Sequence, residues 1–362
     1  MKIGELCSYA PKSQIKAGEA IEGAKYMFFT SSADENKRYS DYQFDGEGII
    51  MGTGGNATLH YYSGKYSTST DCVVLLPNEK VRCKYLYYYL KANMNVLEAG
   101  FKGAGLKHTN KKYINDICID NIPDCGKQDK IIYILDKIQD IIDAKNKELK
   151  LLDDLIKARF VEMFGDPVSN SYGLPEATLP ELGEFGRGIS KHRPRNDPKL
   201  LGGDYPLIQT GDVANAGLYI TSYNSTYSEF GLKQSKMWEK GTLCITIAAN
   251  IAKTAILTFD ACFPDSVVGF TSNEKTNNIF IHYWFLFFQA ILESQAPESA
   301  QKNINLKILS ELRAIVPEKE KQDEFVDFIH QVDKSKVVYM YILKTRKYLM
   351  YNSKYREKVN CI

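Results

Sequence analysis

Residues 127–164 have the sequence KQDKIIYILDKIQDIIDAKNKELKLLDDLIKARFVEMF, and the rest of the chain is organised around them. Their apolar residues recur at alternating steps of four and three, which is the period of a coiled-coil helix. The positions concerned are Ile131, Leu135, Ile138, Ile142, Leu149, Leu152, Ile156 and Met163. No Gly or Pro interrupts the stretch, and Gly165 and Pro167 follow it as a helix stop. The pattern predicts one helix about 55 Å long.

A second copy of this helix begins near the end of the chain. Lys127-Gln128-Asp129 is matched by Lys321-Gln322-Asp323 at an offset of 194 residues. Four apolar positions of the first helix, Ile131, Leu135, Ile138 and Leu149, fall on Phe325, Ile329, Val332 and Leu343 at the same offset. We therefore expect two long helices that pack as an antiparallel coiled coil.

The segments before the two helices repeat as well, which indicates an internal duplication. The residue matches are Glu5-Leu6 with Glu181-Leu182, Tyr26–Phe29 with Tyr205–Ile208, Gly48–Met51 with Gly241–Cys244, Asn56 with Asn250, and Asp71 with Asp265. The offset grows from 176 to 194, so the second copy has about 18 extra residues, part of them near Arg187–Asp204.

The predicted fold class is α+β, with a module, a helix, a module and a helix in that order. Residues 1–122 are module one and residues 166–316 are module two. Residues 123–165 and 317–362 are the long helices. If the helices pack antiparallel, a pseudo-twofold axis relates the two halves of the chain.

Within the modules, the spacing of apolar and turn residues predicts individual elements. In module one we expect a strand over TLHYY that ends at a Gly64-Lys65 turn, a helix over Lys84–Glu98, and a last strand over Ile117–Ile122. In module two the apolar run Ile279–Leu292 is too short to span a bilayer, and it predicts a buried helix.

Composition limits the class of protein. With 44% hydrophobic and 25% charged residues, the 362-residue chain fits a soluble globular protein. Its formal net charge is only +2, so binding to nucleic acid has to rest on local patches. The eight cysteines include no C-x-x-C pair, and we expect reduced thiols in a cytoplasmic protein without a signal peptide.

No motif for catalysis is found. The sequence has no phosphate-loop motif, no H-E-x-x-H and no G-x-S-x-G, so we expect no catalytic residues and no metal or cofactor site in this chain. The glycine-rich segment Gly52–Asn56 favours a structural turn between strands, with backbone contact to a phosphate as the alternative. His282 lies in the apolar run of module two and is expected to be a core histidine.

Basic loops are the positive signal. Lysine neutralises phosphates, and Asn and Gln can pair bidentately with adenine in the major groove. The candidate DNA-binding residues of module one are Lys102, Lys107, His108, Asn110, Lys111 and Lys112, and those of the matching loop in module two are Gln301, Lys302, Asn303 and Asn305. A solvated loop is the alternative for any one residue, but recurrence in both modules favours binding.

Module two has an additional basic patch. Its candidate residues are Arg187, Lys191, His192, Arg193 and Arg195, and the only acidic residues beside them in sequence are Asp197 and Asp204. Two related modules with different polar loops fit the recognition of two different short sequences. The basic tail, residues 334–358, is interpreted as the solvated face of the second helix, or as a face for DNA or an acidic protein.

Three phrases resemble those of one family. Leu151–Pro167 (LLDDLIKARFVEMFGDP) is similar to the central region of type I restriction-modification specificity subunits. Gly203–Val213 (GDYPLIQTGDV) and Gln301–Leu309 (QKNINLKIL) are similar to phrases of their target-recognition domains. Module one lacks a phrase like QTGDV and has Phe28–Ser31 in its place.

The resemblance implies a non-catalytic subunit that binds double-stranded DNA. Each module would be a target-recognition domain that reads one half of a bipartite site, and the helices would set the spacing. Two methyltransferase subunits would dock on the chain and methylate adenine with S-adenosylmethionine, and a restriction subunit, where one exists, would use ATP and Mg²⁺. The alternative is a coiled-coil scaffold whose two β-rich modules bind protein partners.

Overall fold

The computed structural model describes residues 1–103, 105–248, 250–295 and 304–334. These residues form two compact units, which divide inside one long helix, between Asn146 and Lys147. Both units combine helices with strands, so the α+β class is confirmed. Among the described helices, none has the length and apolar content needed to cross a membrane.

Module one is built on a single sheet. Its elements are α1 (Ile3–Leu6), β1 (Cys7–Tyr9), β2 (Tyr26–Phe29), β3 (Arg38–Tyr39), β4 (Phe44–Gly52), β5 (Leu59–Thr68), β6 (Cys72–Pro77), α2 (Cys83–Ala92), α3 (Met94–Glu98) and α4 (Lys111–Asp116). The strand order is β1-β6-β4-β5-β2-β3. Neighbouring strands are antiparallel except β2 and β5, which are parallel. The helix α5 (Cys125–Phe164) follows the module.

Module two is larger and carries more strands. Its elements are β7 (Glu176–Thr178), α6 (Leu179–Leu182), β8 (Gly183–Arg187), β9 (Leu201–Leu207), α7 (Thr210–Ala214), β10 (Tyr219–Ile220), β11 (Ser225–Tyr227), α8 (Glu229–Lys233), β12 (Met237–Trp238), β13 (Leu243–Thr246), β14 (Thr254–Leu257), β15 (Ala261–Cys262), β16 (Val267–Ser272), α9 (Asn278–Gln295), α10 (Leu306–Glu311) and β17 (Arg313–Ile315). The strand orders are β10-β14-β13-β16-β8, β11-β9-β15-β12 and β17-β7. Residues 319–334 form α11 as far as the chain is described.

The long central helix is confirmed. It runs for 40 residues and ends where Gly165 takes a left-handed φ of +75°. The C-terminal end of α5 packs against the N-terminal end of α11, as in an antiparallel pair. The Phe325 ring centroid lies 5.3 Å from that of Phe160 and 5.7 Å from that of Phe164, and Arg159 pairs with Glu324 at 3.1 Å.

The predicted apolar seam of α5 is confirmed only in part. Ile156 is buried, and Leu152 and Met163 are partly buried against the core of module two. Ile131 and Ile138 are 37% and 40% exposed. Residues 335–362, which were predicted to continue the second helix, lie outside the described residues.

The duplication is visible in matching hydrogen bonds. Asn78 donates from its side chain to the carbonyl of Glu5, and Asn273 donates in the same way to the carbonyl of Glu181, both at 3.0 Å. The Thr109 backbone N–H donates to the carbonyl of Thr53 at 3.0 Å. Its counterpart is the bond from the Ile304 N–H to the carbonyl of Ile247, also at 3.0 Å.

These bonds correct the strand alignment by one residue. Leu243 pairs with Phe270 as Ile49 pairs with Leu75, so Ile49 corresponds to Leu243. The alignment of Gly48 with Gly241 was therefore wrong, because a shift of one residue would turn core side chains to the other face of the sheet. Asp71 likewise corresponds to Ser266, because their carbonyls accept from the matching N–H groups of Thr53 and Ile247.

Most of the extra length of module two lies after β9. Leu207 pairs in parallel with Cys262, as Phe29 pairs with Thr68. Leu207 therefore matches Phe29, and the difference in residue number between the two repeats is about 178 at the end of β9. It is 176 at the start of the repeats, so only about two of the extra residues precede this point. The remainder forms α7, β10, β11, α8 and β12. Residues 187–204 therefore contain little of the excess.

Three predicted elements of module one were wrong in detail. Asn93, with φ −119° and ψ 37°, breaks the predicted helix into α2 and α3. The strand β5 continues through Gly64 and Lys65, because Gly64 pairs with Gly46 across the sheet. The segment 117–122 forms no strand, and only Cys118 makes a bridge, to Lys2. The buried helix of module two was correctly predicted and is α9.

A buried glutamine attaches each long helix to its module. Gln128 is 0% exposed; its Oε1 accepts from the Arg82 backbone N–H at 2.7 Å, and its Nε2 donates to the carbonyls of Lys80 and Pro123. Gln322 is also 0% exposed and donates to the carbonyls of Lys275 and Pro317. Both glutamines thus satisfy buried polar groups of the module with one side chain.

We predict that Gln128→Ala destabilises module one by about 2–4 kcal/mol, because it leaves the Arg82 N–H and two carbonyls without partners and opens a cavity. Native-state hydrogen exchange of the Arg82 amide and its neighbours measures the loss. Gln139→Ala is the matched control, since the Gln139 side chain lies on the same helix and bonds to the exposed Asp143. Equal loss of protection in both variants would contradict the anchoring role.

Candidate nucleic-acid interface

The basic loop of module one folds back on the glycine-rich turn. His108 exchanges two backbone hydrogen bonds with Lys102, both 3.0 Å, and forms a bridge to Gly54. The N–H of Gly55 donates to the carbonyl of Lys107 at 2.8 Å. The six candidate residues of this loop, Lys102, Lys107, His108, Asn110, Lys111 and Lys112, are all exposed. The structure thus places Lys102 beside His108 and leaves all six residues accessible to solvent.

The glycine-rich turn is structural. The N–H of Gly52 donates to the carbonyl of Thr58, that of Thr53 to Asp71, and that of Gly55 to Lys107. The N–H of Gly54 faces the Ser31 hydroxyl at 3.4 Å. Because protein acceptors already occupy these donors, the turn is not an open cradle for phosphate.

Two of the predicted DNA-binding asparagines are helix caps. The Asn110 side-chain oxygen accepts from the Tyr113 N–H at the start of α4, and Asn305 accepts from the Ile308 N–H at the start of α10, both at 2.9 Å. Bidentate pairing with adenine needs both ends of the amide. A base contact by either residue stays a prediction, and its amide oxygen already has a structural role. Gln301, Lys302 and Asn303 lie outside the described residues.

The basic patch of module two is held in place by Gln234. Its Oε1 accepts from the backbone N–H groups of Lys191 and His192, at 2.6 and 3.0 Å. His192 contacts Asp197 at 2.9 Å. Hydrogen bonds from the Lys199 N–H and from His192 hold the pKa of Asp197 below its ordinary value. Asp197 is therefore ionised at neutral pH beside His192.

Two arginines of this patch converge on one acid that the sequence did not indicate. Asp265 accepts from Arg195 at 2.5 Å and lies 3.6 Å from Arg193. Asp197 and Asp204 are the acidic residues of the segment itself, and the fold adds Asp265 to them. Asp265 is about 70 residues further along the chain, and no local pattern links it to the arginines. Arg187 and Lys191 are exposed and make no ion pair among the described residues.

The outer surface of α5 carries exposed apolar side chains. In the first unit Ile134 and Ile141 are 56% and 59% exposed, and in the second unit Leu151 and Leu155 are 58% and 48% exposed. Ile134 and Ile141 are two helical turns apart, and Leu151 and Leu155 are one turn apart. The two residues of each pair therefore lie on the same face of the helix. The predicted seam did not include these four positions.

The chemistry available for catalysis is sparse in the part of the chain that the structure describes. The described cysteines are free thiols, and burial raises the pKa of Cys72 to about 11. No cluster of three His, Cys, Asp or Glu side chains among the described residues is placed to hold a metal ion. His282 is buried and lies 2.9 Å from the Thr254 hydroxyl, which confirms it as a core histidine.

Comparison with known proteins identifies the family. Residues 1–153 and 176–338 match the model of the type I restriction modification DNA specificity domain. The chain belongs to this family. Its two matched segments coincide with the two repeats that the hydrogen bonds define.

Individual members of the specificity family are distant in sequence. The chain is 22% identical over 157 residues to the EcoDI specificity subunit of Escherichia coli, a match that covers 43% of this chain and 34% of that one. It is 25% identical over 307 residues to a protein of Haemophilus influenzae assigned as a type I restriction enzyme specificity subunit, covering 81% and 76%.

A solved structure shares the fold. The S subunit of a type I restriction-modification system from M. genitalium aligns over 97% of this chain and 93% of its own, with a TM-score of 0.61 and 14% sequence identity. At this level of identity the likeness concerns the fold alone.

We predict that Asp265→Asn steepens the salt dependence of duplex binding, by about one unit of log K against log salt for each arginine that becomes free to contact a phosphate. Fluorescence anisotropy of the full chain with a labelled duplex measures the slope. Asp204→Asn is the matched control, since it makes the same charge change in module two without releasing Arg193 or Arg195. An equal effect of both variants would show that net charge alone is responsible.

Proposed function

We propose that this chain is the DNA-recognition subunit of a type I restriction-modification complex, in which each module binds one half of a split DNA site. The observation that carries the proposal is the combination of a shared framework with different polar loops. Thr53 and Thr109 in module one make the backbone bond that Ile247 and Ile304 make in module two. On this framework the two modules present different basic surfaces, as two different short sequences require.

In the proposed mechanism, the chain holds the DNA in position for its partner subunits. In module one, Lys102, Lys107, Lys111 and Lys112 are exposed on the loop that packs on the glycine-rich turn, and they would anchor phosphates. In module two, Arg187 and the arginines paired with Asp265 would combine phosphate contacts with contacts to base edges. An arginine held by a carboxylate has a fixed guanidinium plane, which favours bidentate contact with guanine.

Partner proteins would supply the chemistry. The exposed apolar residues of α5, such as Ile134 and Leu151, fit the docking of methyltransferase subunits, because apolar area exposed on one chain is buried on association. Those subunits would bind S-adenosylmethionine and receive the flipped adenine, and a restriction subunit, where present, would bind ATP and Mg²⁺. This chain would be non-catalytic and would act in the cytoplasm.

A coiled-coil scaffold that binds only protein partners is the second candidate, and the exposed apolar face of α5 favours it. The two functions differ in their dependence on salt. Neutralisation of phosphates gives a steep fall in affinity with salt concentration, whereas apolar protein association does not.

We predict that exchange of residues 166–316 for the matching segment of the Haemophilus influenzae relative changes one half of the methylated DNA sequence and leaves the other half and the unread gap unchanged. The reason is that each module carries its own polar loops. The chimaera is expressed with the methyltransferase subunits in a methylation-free host, and modified adenine is mapped by sequencing.

The matched control is exchange of residues 1–122, which should change only the other half. If either exchange altered both halves together, the modules would not read separately. If the assembled unexchanged complex gave no sequence-specific methylation, the scaffold function would replace the proposed one.

A further inference from the structure

Module one contains a cavity of about 190 Å³ beside the basic loop. It lies between residues 10–12 after β1, the end of β5, the start of β6, and the residues that begin α4. The cavity adjoins the predicted interface, since Asn110 and Lys111 belong to both. Thr53 also lines it and belongs to the glycine-rich segment Gly52–Asn56.

The side chains that line this cavity offer positive charge and hydrogen-bond donors. Lys12 and Lys111 contribute two positive charges, and Lys111 is held with its Nζ 4.4 Å from the centre of the Tyr9 ring. Thr68 and Thr70 contribute hydroxyls, and Asn110 keeps its amide nitrogen available while its oxygen caps α4. None of the residues that line the cavity is acidic. Cys72 adds no negative charge at neutral pH, because burial keeps its thiol protonated.

Module two has apolar residues at three of the matching places. Thr53 and Thr109, which line the cavity, correspond to Ile247 and Ile304, each 1% exposed. Lys111 is the first residue of α4, and its counterpart as the first residue of α10 is Leu306. The shared framework therefore does not require a polar cavity here. The positive charge of Lys111 at this place is specific to module one, whereas the Asn110 amide has a counterpart in Asn305.

We propose that this cavity binds a phosphate group, with Lys12 and Lys111 neutralising its charge and Thr68, Thr70 and the Asn110 amide donating to its oxygens. Two cations and several donors without a carboxylate fit an anion that has three or four oxygen acceptors. The phosphate has two chemical sources. One is the backbone of the bound DNA, and this source rests on the proposed function; the other is a free phosphate or nucleotide.

The first experiment tests the DNA backbone. Full-length Lys12→Gln/Lys111→Gln is compared with the unmodified chain on a duplex that carries the mapped site, and again on duplexes with one neutral methylphosphonate at successive positions. We expect the slope of log K against log salt to fall by about one to two units. One methylphosphonate position in the module-one half-site should weaken the unmodified chain about tenfold and the double variant hardly at all.

The matched control is Lys91→Gln, which removes an exposed lysine of α2 that does not line the cavity. Thr70→Val keeps the side-chain shape and removes one donor, and it should reproduce part of the loss at the same methylphosphonate position. Circular dichroism of each variant confirms that the fold is retained.

The second experiment tests a free ligand. Phosphorus NMR of inorganic phosphate and of AMP with the full chain should show line broadening that the double variant abolishes, if the source is a free phosphate. Binding in either experiment that depends on Lys12 and Lys111 supports the cavity as a phosphate site and identifies its source.

If the double variant behaves like Lys91→Gln on every duplex and with both small ligands, the proposal is overturned. This result differs from failure of the proposed function. In that case the unmodified chain would bind no duplex site-specifically, and only the experiment with free ligands would bear on the cavity.

Discussion

The structure depends on one interaction, which occurs twice: a fully buried glutamine that ties the start of each long helix to the module before it. Because α5 is 40 residues long, the orientation of its axis relative to module one depends on how its first turn is attached. Gln128 and Gln322 each donate to one carbonyl of the module and to the proline carbonyl before the helix. Since an unpaired buried donor or acceptor costs about 1–3 kcal/mol, rotation of the helix away from the module is strongly opposed. These bonds thereby attach the first turn of each helix to its module.

Residue periodicity was enough to predict the largest features. The step of four and three along α5, the glycine stop at Gly165 and the repeated Lys-Gln-Asp are local patterns, so the sequence alone predicted a long helix and a duplication. The register of strands was harder to predict. Gly48 and Gly241 aligned as identical residues, but they are glycines for different reasons. A Cβ on Gly48 would lie 2.2 Å from the Tyr66 hydroxyl, whereas Gly241 has open space and a left-handed φ of +93°. The candidate site depends even more on distant contacts, because Asp265 reaches Arg195 from about 70 residues away.

Function follows from what the two copies share and from what they do not. The framework bonds of Thr53 with Thr109 and of Ile247 with Ile304 are the same, and the family match covers both copies. The polar surfaces differ in kind. The basic loop of module one exposes lysines that make no ion pair among the described residues, and module two holds arginines against a carboxylate. The first arrangement suits phosphate anchoring, and the second suits a fixed guanidinium that reads a base edge. A duplicated chain in which the two copies have diverged at these surfaces is suited to an asymmetric split site.

We expect the long helices to fix the distance between the two half-sites that the modules read on the DNA. The most direct test inserts seven residues into α5 after Asn146 and a matched seven after Met340, followed by methylation mapping of the assembled complex. Seven residues keep the helix faces nearly in phase and add about 10 Å. We expect unchanged half-sites separated by an unread gap that is longer by up to about three base pairs, at about 3.4 Å each. An active complex whose gap stays the same would contradict it.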